Sequence, residues 1–161
     1  MADALSSYYA ALALLRSLPD GSDMKIRLGF KLAPDGKQVI LIKSLPYHGT
    51  IKQNPADLPK ATGRLITDMN YRHWDHYVEN IAHPFVAQVS DSQIDNGTDI
   101  MAGEPYECPT APFGGIEQIA WSPNSKQIAY SSRKRTGLQY AISTDADIYL
   151  YDTDKLGEGC P

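Results

Sequence analysis

All-β is the fold class this sequence predicts, and two repeated patterns carry it. The segment "FKLAPDGKQVILI" (30–42) returns as "IAWSPNSKQIAYS" (119–131), with Pro34 matching Pro123, Asp35 matching Asn124, and Lys37-Gln38 matching Lys126-Gln127, 89 residues on. A short alternating strand ending in an acidic turn follows each copy, "FVAQVSD" (85–91) and "IYLYDTD" (148–154), at a spacing of 63 residues. Each first segment reads as a strand, a tight Pro-Asp-Gly or Pro-Asn-Ser turn, and a second strand of β-branched or aromatic residues. Proline suits the first turn position because its φ is already set. A hairpin repeated with an outer strand is the pattern of a β-propeller blade, which buries its faces only against neighbouring blades. Two copies make a partial β-propeller of about two to three blades, fewer than the four or more that usually close a ring. The competing architecture is an ordinary antiparallel sandwich with a chance Pro-x-x-Lys-Gln match, which leaves the paired outer strands unexplained.

The elements follow in order. Within residues 1–24, Leu5, Tyr8, Tyr9, Leu12 and Leu15 share one face at helical spacing, Asp3 can cap the start, and Pro19-Asp20-Gly21 can end it. A short amphipathic N-terminal helix, a leader or a cap, is expected there. The segment starts with Asp3 rather than a basic region and its apolar run is too short to cross a bilayer, so neither a secretion signal nor a membrane span is read. Residues 25–154 are expected to form the blades. The two spacings, 89 and 63 residues, differ by about 26, which places a long insertion in the first unit within residues 44–82. Residues 155–161 read as a tail.

With 161 residues, 42% hydrophobic and 21% charged, the chain has the composition of one globular domain. A formal charge of −4 leaves no basic surplus for nucleic acid. The one basic run, Arg133-Lys134-Arg135, is flanked as a turn would be. Cys108 and Cys160 could pair, but no further spacing supports a disulfide framework or a metal site.

The insertion contains "TDMNYRHWDHYVENIAHPF" (67–85), with three histidines, three acids, an arginine and a tryptophan in one short stretch. His73 and His76, with Asp75 or His83, can be drawn as a metal site, yet His-Glu-x-x-His is absent and no cysteine lies at ligand spacing, so no metal or cofactor is expected. Catalysis by His73 with Asp75 would need a nucleophile and an oxyanion hole that the sequence does not supply. Tyr71, Trp74, Tyr77 and Val78 follow helical spacing, so the stretch can pin the insertion to its blade, with Arg72 pairing Asp75. The other reading is recognition through Arg72, His73 and Trp74.

"APDGKQVILIK", "SPNSKQIAYSS", "YRHWD" with its upstream "LPKATGR", and "GEPYECPTAPFGGIEQIAWSPNSK" together resemble the propeller domain of prolyl-oligopeptidase-family serine peptidases, in the dipeptidyl peptidase V and acylaminoacyl-peptidase-like branch. The resemblance runs from about residue 30 to residue 153. It implies a propeller that covers an α/β-hydrolase domain with a Ser-Asp-His triad. No Gly-x-Ser-x-Gly occurs here, so the chain is expected to be a non-catalytic fragment with the lid and substrate-selection role, its partners being the N-terminus of a peptide substrate and a missing hydrolase domain. Family members of the dipeptidyl type hold the substrate's free amine with propeller acids, which makes Glu79, Glu104 and Glu107 candidates beside Arg72, His73, Trp74 and Asp75. The simpler reading of "GEPYECP" is an irregular, solvated loop with Cys108 as an apolar filler. Open blade faces imply self-association. The alternative function is a stand-alone binding or interaction module built on the same repeats. Family members are often periplasmic or secreted, and the sequence does not fix the compartment.

Overall fold

In a computed structural model of the chain, residues 9, 13, 29–47, 50–51, 60, 62–63, 65–66, 68–69, 72–73, 76–90 and 93–155 are described. Tyr9 and Ala13 are helical, at two positions of the expected N-terminal helix. The rest of that helix and most of the tail lie outside the described residues.

The first repeat forms a four-stranded antiparallel sheet from Phe30–Leu32 (β1), Gln38–Pro46 (β2), Asn80–Gln88 (β7) and Thr98–Asp99 (β8), hydrogen-bonded in the order β1-β2-β7-β8. The second forms a three-stranded sheet, with Ile119–Trp121 (β9), Gln127–Ser132 (β10) and Asp147–Asp152 (β11) side by side. A single helical turn, Gln139–Ile142 (α1), links β10 to β11. The structure is thus mostly β, with almost no helix among the described residues.

The two turns are built alike. Ala33 N–H donates to Gln38 O (2.8 Å) and Ser122 N–H to Gln127 O (2.8 Å), while Gly36 and Ser125 return a bond to Ala33 O and Ser122 O. Asp35 accepts from Lys37 N–H at 3.0 Å, as Asn124 does from Lys126 N–H at 3.1 Å. Both turns need a left-handed residue, supplied by Gly36 (φ 74°) and Ser125 (φ 61°). The outer strands dock the same way, through Val89 N–H to Lys37 O (2.8 Å) and Thr153 N–H to Lys126 O (2.9 Å).

That register corrects the sequence alignment by one residue. Gln88 faces Gln38 and Asp152 faces Gln127, so the outer strands correspond at a spacing of 64 residues rather than 63. A shift of one residue exchanges the faces of a strand, and the corrected spacing matches Phe85 with Tyr149 and Val86 with Leu150.

The insertion between β2 and β7 contains two small ladders: Thr50–Ile51 (β3) with Leu65–Ile66 (β4), and Arg72–His73 (β5) with His76–Tyr77 (β6). The helix suggested by the spacing of Tyr71, Trp74, Tyr77 and Val78 is replaced here by a hairpin in which Arg72 faces Tyr77 and His73 faces His76. Asn, Asp, His, Tyr and Val dominate the segment and all sit low in helix propensity, and so short a helix would be marginal alone. Val78 instead packs with Tyr47 and Ile81 in a small cluster at the root of the insertion.

One face of the first sheet, through Ile40, Ile42 and Val86, shares an apolar core with Ile119, Ile128 and Tyr130 of the second. Polar bonds stitch the same seam. Trp121 Nε1–H donates to Lys31 O (2.9 Å), Lys31 Nζ donates to Ile119 O (2.5 Å), and Asp35 N–H donates to Ser125 Oγ (3.1 Å). On the opposite face of the first sheet, Val39, Leu41 and Ala87 are fully buried in a second cluster.

Candidate functional site

The strands bring the tight turns to one end of both sheets and the insertion to the other. At the insertion end, the chain leaving β8 runs back beside β7, with Ile100 N–H donating to Pro84 O and Cys108 N–H to Ala82 O (2.8 Å). Ser132 Oγ–H at the end of β10 donates to Glu107 O at 2.9 Å, fixing this segment between the two sheets.

A cavity of about 400 Å³ opens there, lined by Leu45, Pro46, Tyr47 and Ile81 on its apolar side and by Asp68, Asp99 and Glu104 on its acidic side. His83 forms part of its wall. The ring is almost fully buried, with Nδ1 2.9 Å from Asp99 Oδ2 and Nε2 2.8 Å from Tyr106 O. Both nitrogens are therefore engaged, which removes His83 from any metal set. No cluster of three or more potential metal ligands occurs among the described residues.

Glu104 is held from behind. The Lys134 ammonium lies 2.7 Å from Oε1 and 2.5 Å from Oε2. It also sits 4.1 Å above the Tyr149 ring and 5.6 Å from the centre of the Tyr130 ring, and the two rings stack. Burial opposes the Lys134 charge, but the Glu104 bond and Tyr130 outweigh it and hold its pKa above the usual lysine value. Burial raises the phenol of Tyr47, and Asp68 adds to the effect. The Tyr140 phenol, on α1, is pushed up to about 12 by burial first and then by Asp68. The cavity is thus lined by both apolar and acidic side chains, a combination that suits an ammonium group on an apolar stem.

Of the sequence candidates, Glu104 lines this cavity. Glu107 is 6% exposed, not solvated as the loop reading had it. It turns toward a smaller cavity with Ile42, Lys43, Pro109 and Pro112, where its Oε1 accepts from Ala111 N–H (3.2 Å). The loop is irregular, but its glutamates are tied into the fold because Ser132, at the end of β10, and Lys134, two residues beyond it, reach them. Glu79 is exposed, and its carbonyl accepts from Tyr47 N–H. Arg72 and His73 are placed as strand residues of β5, whereas Trp74 and Asp75 lie outside the described residues. Sequence reasoning missed Asp68, Asp99 and the structural part played by His83. The signal for His83 was available, since it alternates with Ile81, Phe85 and Ala87 along one strand and so shares their face.

No protein-family model matches the chain and no solved structure does. Curated proteins do match. Dipeptidyl-peptidase 5 of Porphyromonas gingivalis is 49% identical over 136 residues, covering 81% of this chain and 20% of that protein. Dipeptidyl-peptidase 5 of Porphyromonas endodontalis is 41% identical over 160 residues, covering 92% and 23%. The probable dipeptidyl-peptidase 5 of Aspergillus niger is 28% identical over 124 residues, covering 70% and 17%. The chain is similar over most of its length to one part of these proteins and spans about a fifth of theirs.

Proposed function

We propose that the chain is the substrate-selecting, non-catalytic part of a dipeptidyl-peptidase-like serine peptidase, built as a partial β-propeller. The observation that carries this reading is the similarity to one fifth of dipeptidyl-peptidase 5, on a repeat architecture whose sequence has no Gly-x-Ser-x-Gly. The acidic cavity supports it, because a peptide's free amine, once desolvated, needs a carboxylate partner and its first side chain needs an apolar wall. In this reading Asp68, Asp99 and Glu104 form the rim that receives the amine, and the insertion with Arg72, His73, Trp74 and Asp75 faces a hydrolase domain.

A chimera tests it. The matching stretch of the Porphyromonas gingivalis relative is replaced by this chain, and release of chromogenic leaving groups from dipeptidyl substrates is measured. The chimera is expected to turn over free-amine dipeptidyl substrates and to discriminate against N-acetylated ones, while the chain alone turns over neither. A soluble chimera without turnover, or turnover by the isolated chain, would overturn the reading.

A further inference from the structure

Two of the acids that line the larger cavity are each held by an internal cation, and the two cations differ in kind. Glu104 carries Lys134, an ammonium whose pKa stands above the usual lysine value and whose charge is therefore fixed across the neutral range. Asp99 carries His83, an imidazole, the side chain whose charge change ordinarily falls between about pH 5 and about pH 8. The partners of His83 decide which form of the ring fits. Nδ1 faces the carboxylate oxygen Asp99 Oδ2 at 2.9 Å and Nε2 faces the carbonyl oxygen of Tyr106 at 2.8 Å, in a side chain only 3% exposed. Both partners are acceptors, and a neutral imidazole has one N–H to give, so two donated bonds need the imidazolium. The other oxygen of Asp99 accepts from Met101 N–H at 2.9 Å, as suits an ionised carboxylate. The pair is then electrically neutral, and loss of one proton leaves it with a net negative charge on the cavity wall.

We propose that His83 and Asp99 form a proton-linked control of the cavity, in which a proton on the pair and an ammonium in the cavity oppose one another. The proposal rests on the cavity receiving an ammonium, as in the reading above. While His83 is protonated, the charge of Asp99 is spent on it. Once the proton leaves, Asp99 adds an uncompensated carboxylate to the wall and strengthens the pull on a cation. Linkage makes the effect reciprocal, so the ammonium in turn drives the proton off the pair. The other titratable and charged groups around this corner are Lys43, opposite His83 in the sheet, Asp95 and Asp99 beside Lys43, and Tyr47, Asp68, Glu104 and Tyr106 around the cavity. Carboxylates and phenols ordinarily titrate outside the neutral range. Lys43 donates to Asn96 O, and burial lowers its pKa from the ordinary 10.5, so the alkaline end is left out of the test.

Isobutylamine is the probe, an ammonium on an apolar stem that stays charged beyond about pH 8, as a lysine side chain does. Its binding to the full chain is followed by calorimetry from about pH 5.5 to about pH 8, with amide shifts at Leu45 and Ile81 locating it in the cavity. Affinity is expected to rise about tenfold across this range, within the usual span of coupling between two sites. Binding on the rise should release a fraction of a proton, read from the dependence of the heat on the buffer's ionisation enthalpy. Isobutanol, the neutral isostere, should show neither effect. At a fixed pH on the rise, saturation should move the ring resonances of His83 towards the neutral form and leave those of His48, His73 and His76 in place. His83→Gln, which can still donate to one partner but does not titrate, should flatten the profile. A flat profile in the parent, or a slope that survives His83→Gln, overturns the proposal. If that variant does not fold, the ring resonances of the parent decide, and an unmoved His83 overturns the proposal equally. Absence of binding at every pH would overturn the ammonium reading of the cavity as well, whereas a flat profile leaves that reading standing.

Discussion

His83 joins three segments through one ring: its backbone belongs to β7, Nδ1 meets Asp99 of β8, and Nε2 meets the carbonyl of Tyr106. Removing it leaves a carboxylate and a carbonyl without that partner at a nearly dry site, so His83→Ala should cost about 3 kcal/mol in urea unfolding. A loss within about 0.5 kcal/mol, the range of a surface change, would show that the bridge is dispensable. Cys108 and Tyr140 make a prediction of opposite pH sense to acid denaturation. Burial, reinforced by Glu107 and opposed by Lys134, pushes the Cys108 thiol up to about 12, and Tyr140 also reaches about 12, from ordinary values of 9.0 and 10.0. The folded state therefore keeps protons that the unfolded chain releases, and the contribution of these two groups to stability is constant below about pH 9 and is lost as pH rises from there to about 12. Urea midpoints measured across this window should fall, and Cys108→Ala and Tyr140→Phe should each flatten the slope. A midpoint that rises above pH 9 would contradict both shifts.

At the scale of elements, the tight turns were the most legible part of the molecule, because their chemistry is local. Pro34-Asp35-Gly36 and Pro123-Asn124-Ser125 each carry a preset φ, an Asx acceptor and a residue at positive φ within three positions. The second turn adds a long-range duty, since Ser125 Oγ accepts from Asp35 N–H of the first. Ser125→Gly relieves the left-handed backbone but loses this acceptor, and Ser125→Ala loses the acceptor without the relief. Ser125→Ala should therefore be less stable than Ser125→Gly by about 1 kcal/mol, and Gly36→Ala should cost a similar amount, both read from thermal unfolding. Equal stabilities for the two Ser125 variants would mean that the turn carries no strain. The insertion was less legible, because aromatic residues three and four apart fit a helix face as well as a hairpin, and only propensity separates the two. The acidic rim was least legible of all. Asp68, Asp99 and Glu104 meet through an insertion and a returning loop, and no local pattern in the sequence states that Lys134, thirty positions away, will hold Glu104 in place.

At the scale of the whole molecule, the repeat was legible as an architecture, whereas the seam between its units was not, since it depends on which face of each sheet turns inward. A shift of one residue in the outer strand exchanges those faces. The seam itself combines an apolar core with three polar crossings, at Lys31, Asp35 and Trp121, so neither unit keeps its inner face buried without the other. The two units should accordingly unfold as one. Ile128 sits fully buried on the second unit's side of the seam, and truncating it leaves a cavity shared by both sheets. Ile128→Ala should then cost about 3 kcal/mol, and hydrogen exchange should record the loss equally at Leu41 in the centre of β2 and at Ala129 in the centre of β10. If protection fell in β10 while β2 kept its own, the units would be thermodynamically separate. The seam would then be a contact between finished sheets rather than the core on which both depend.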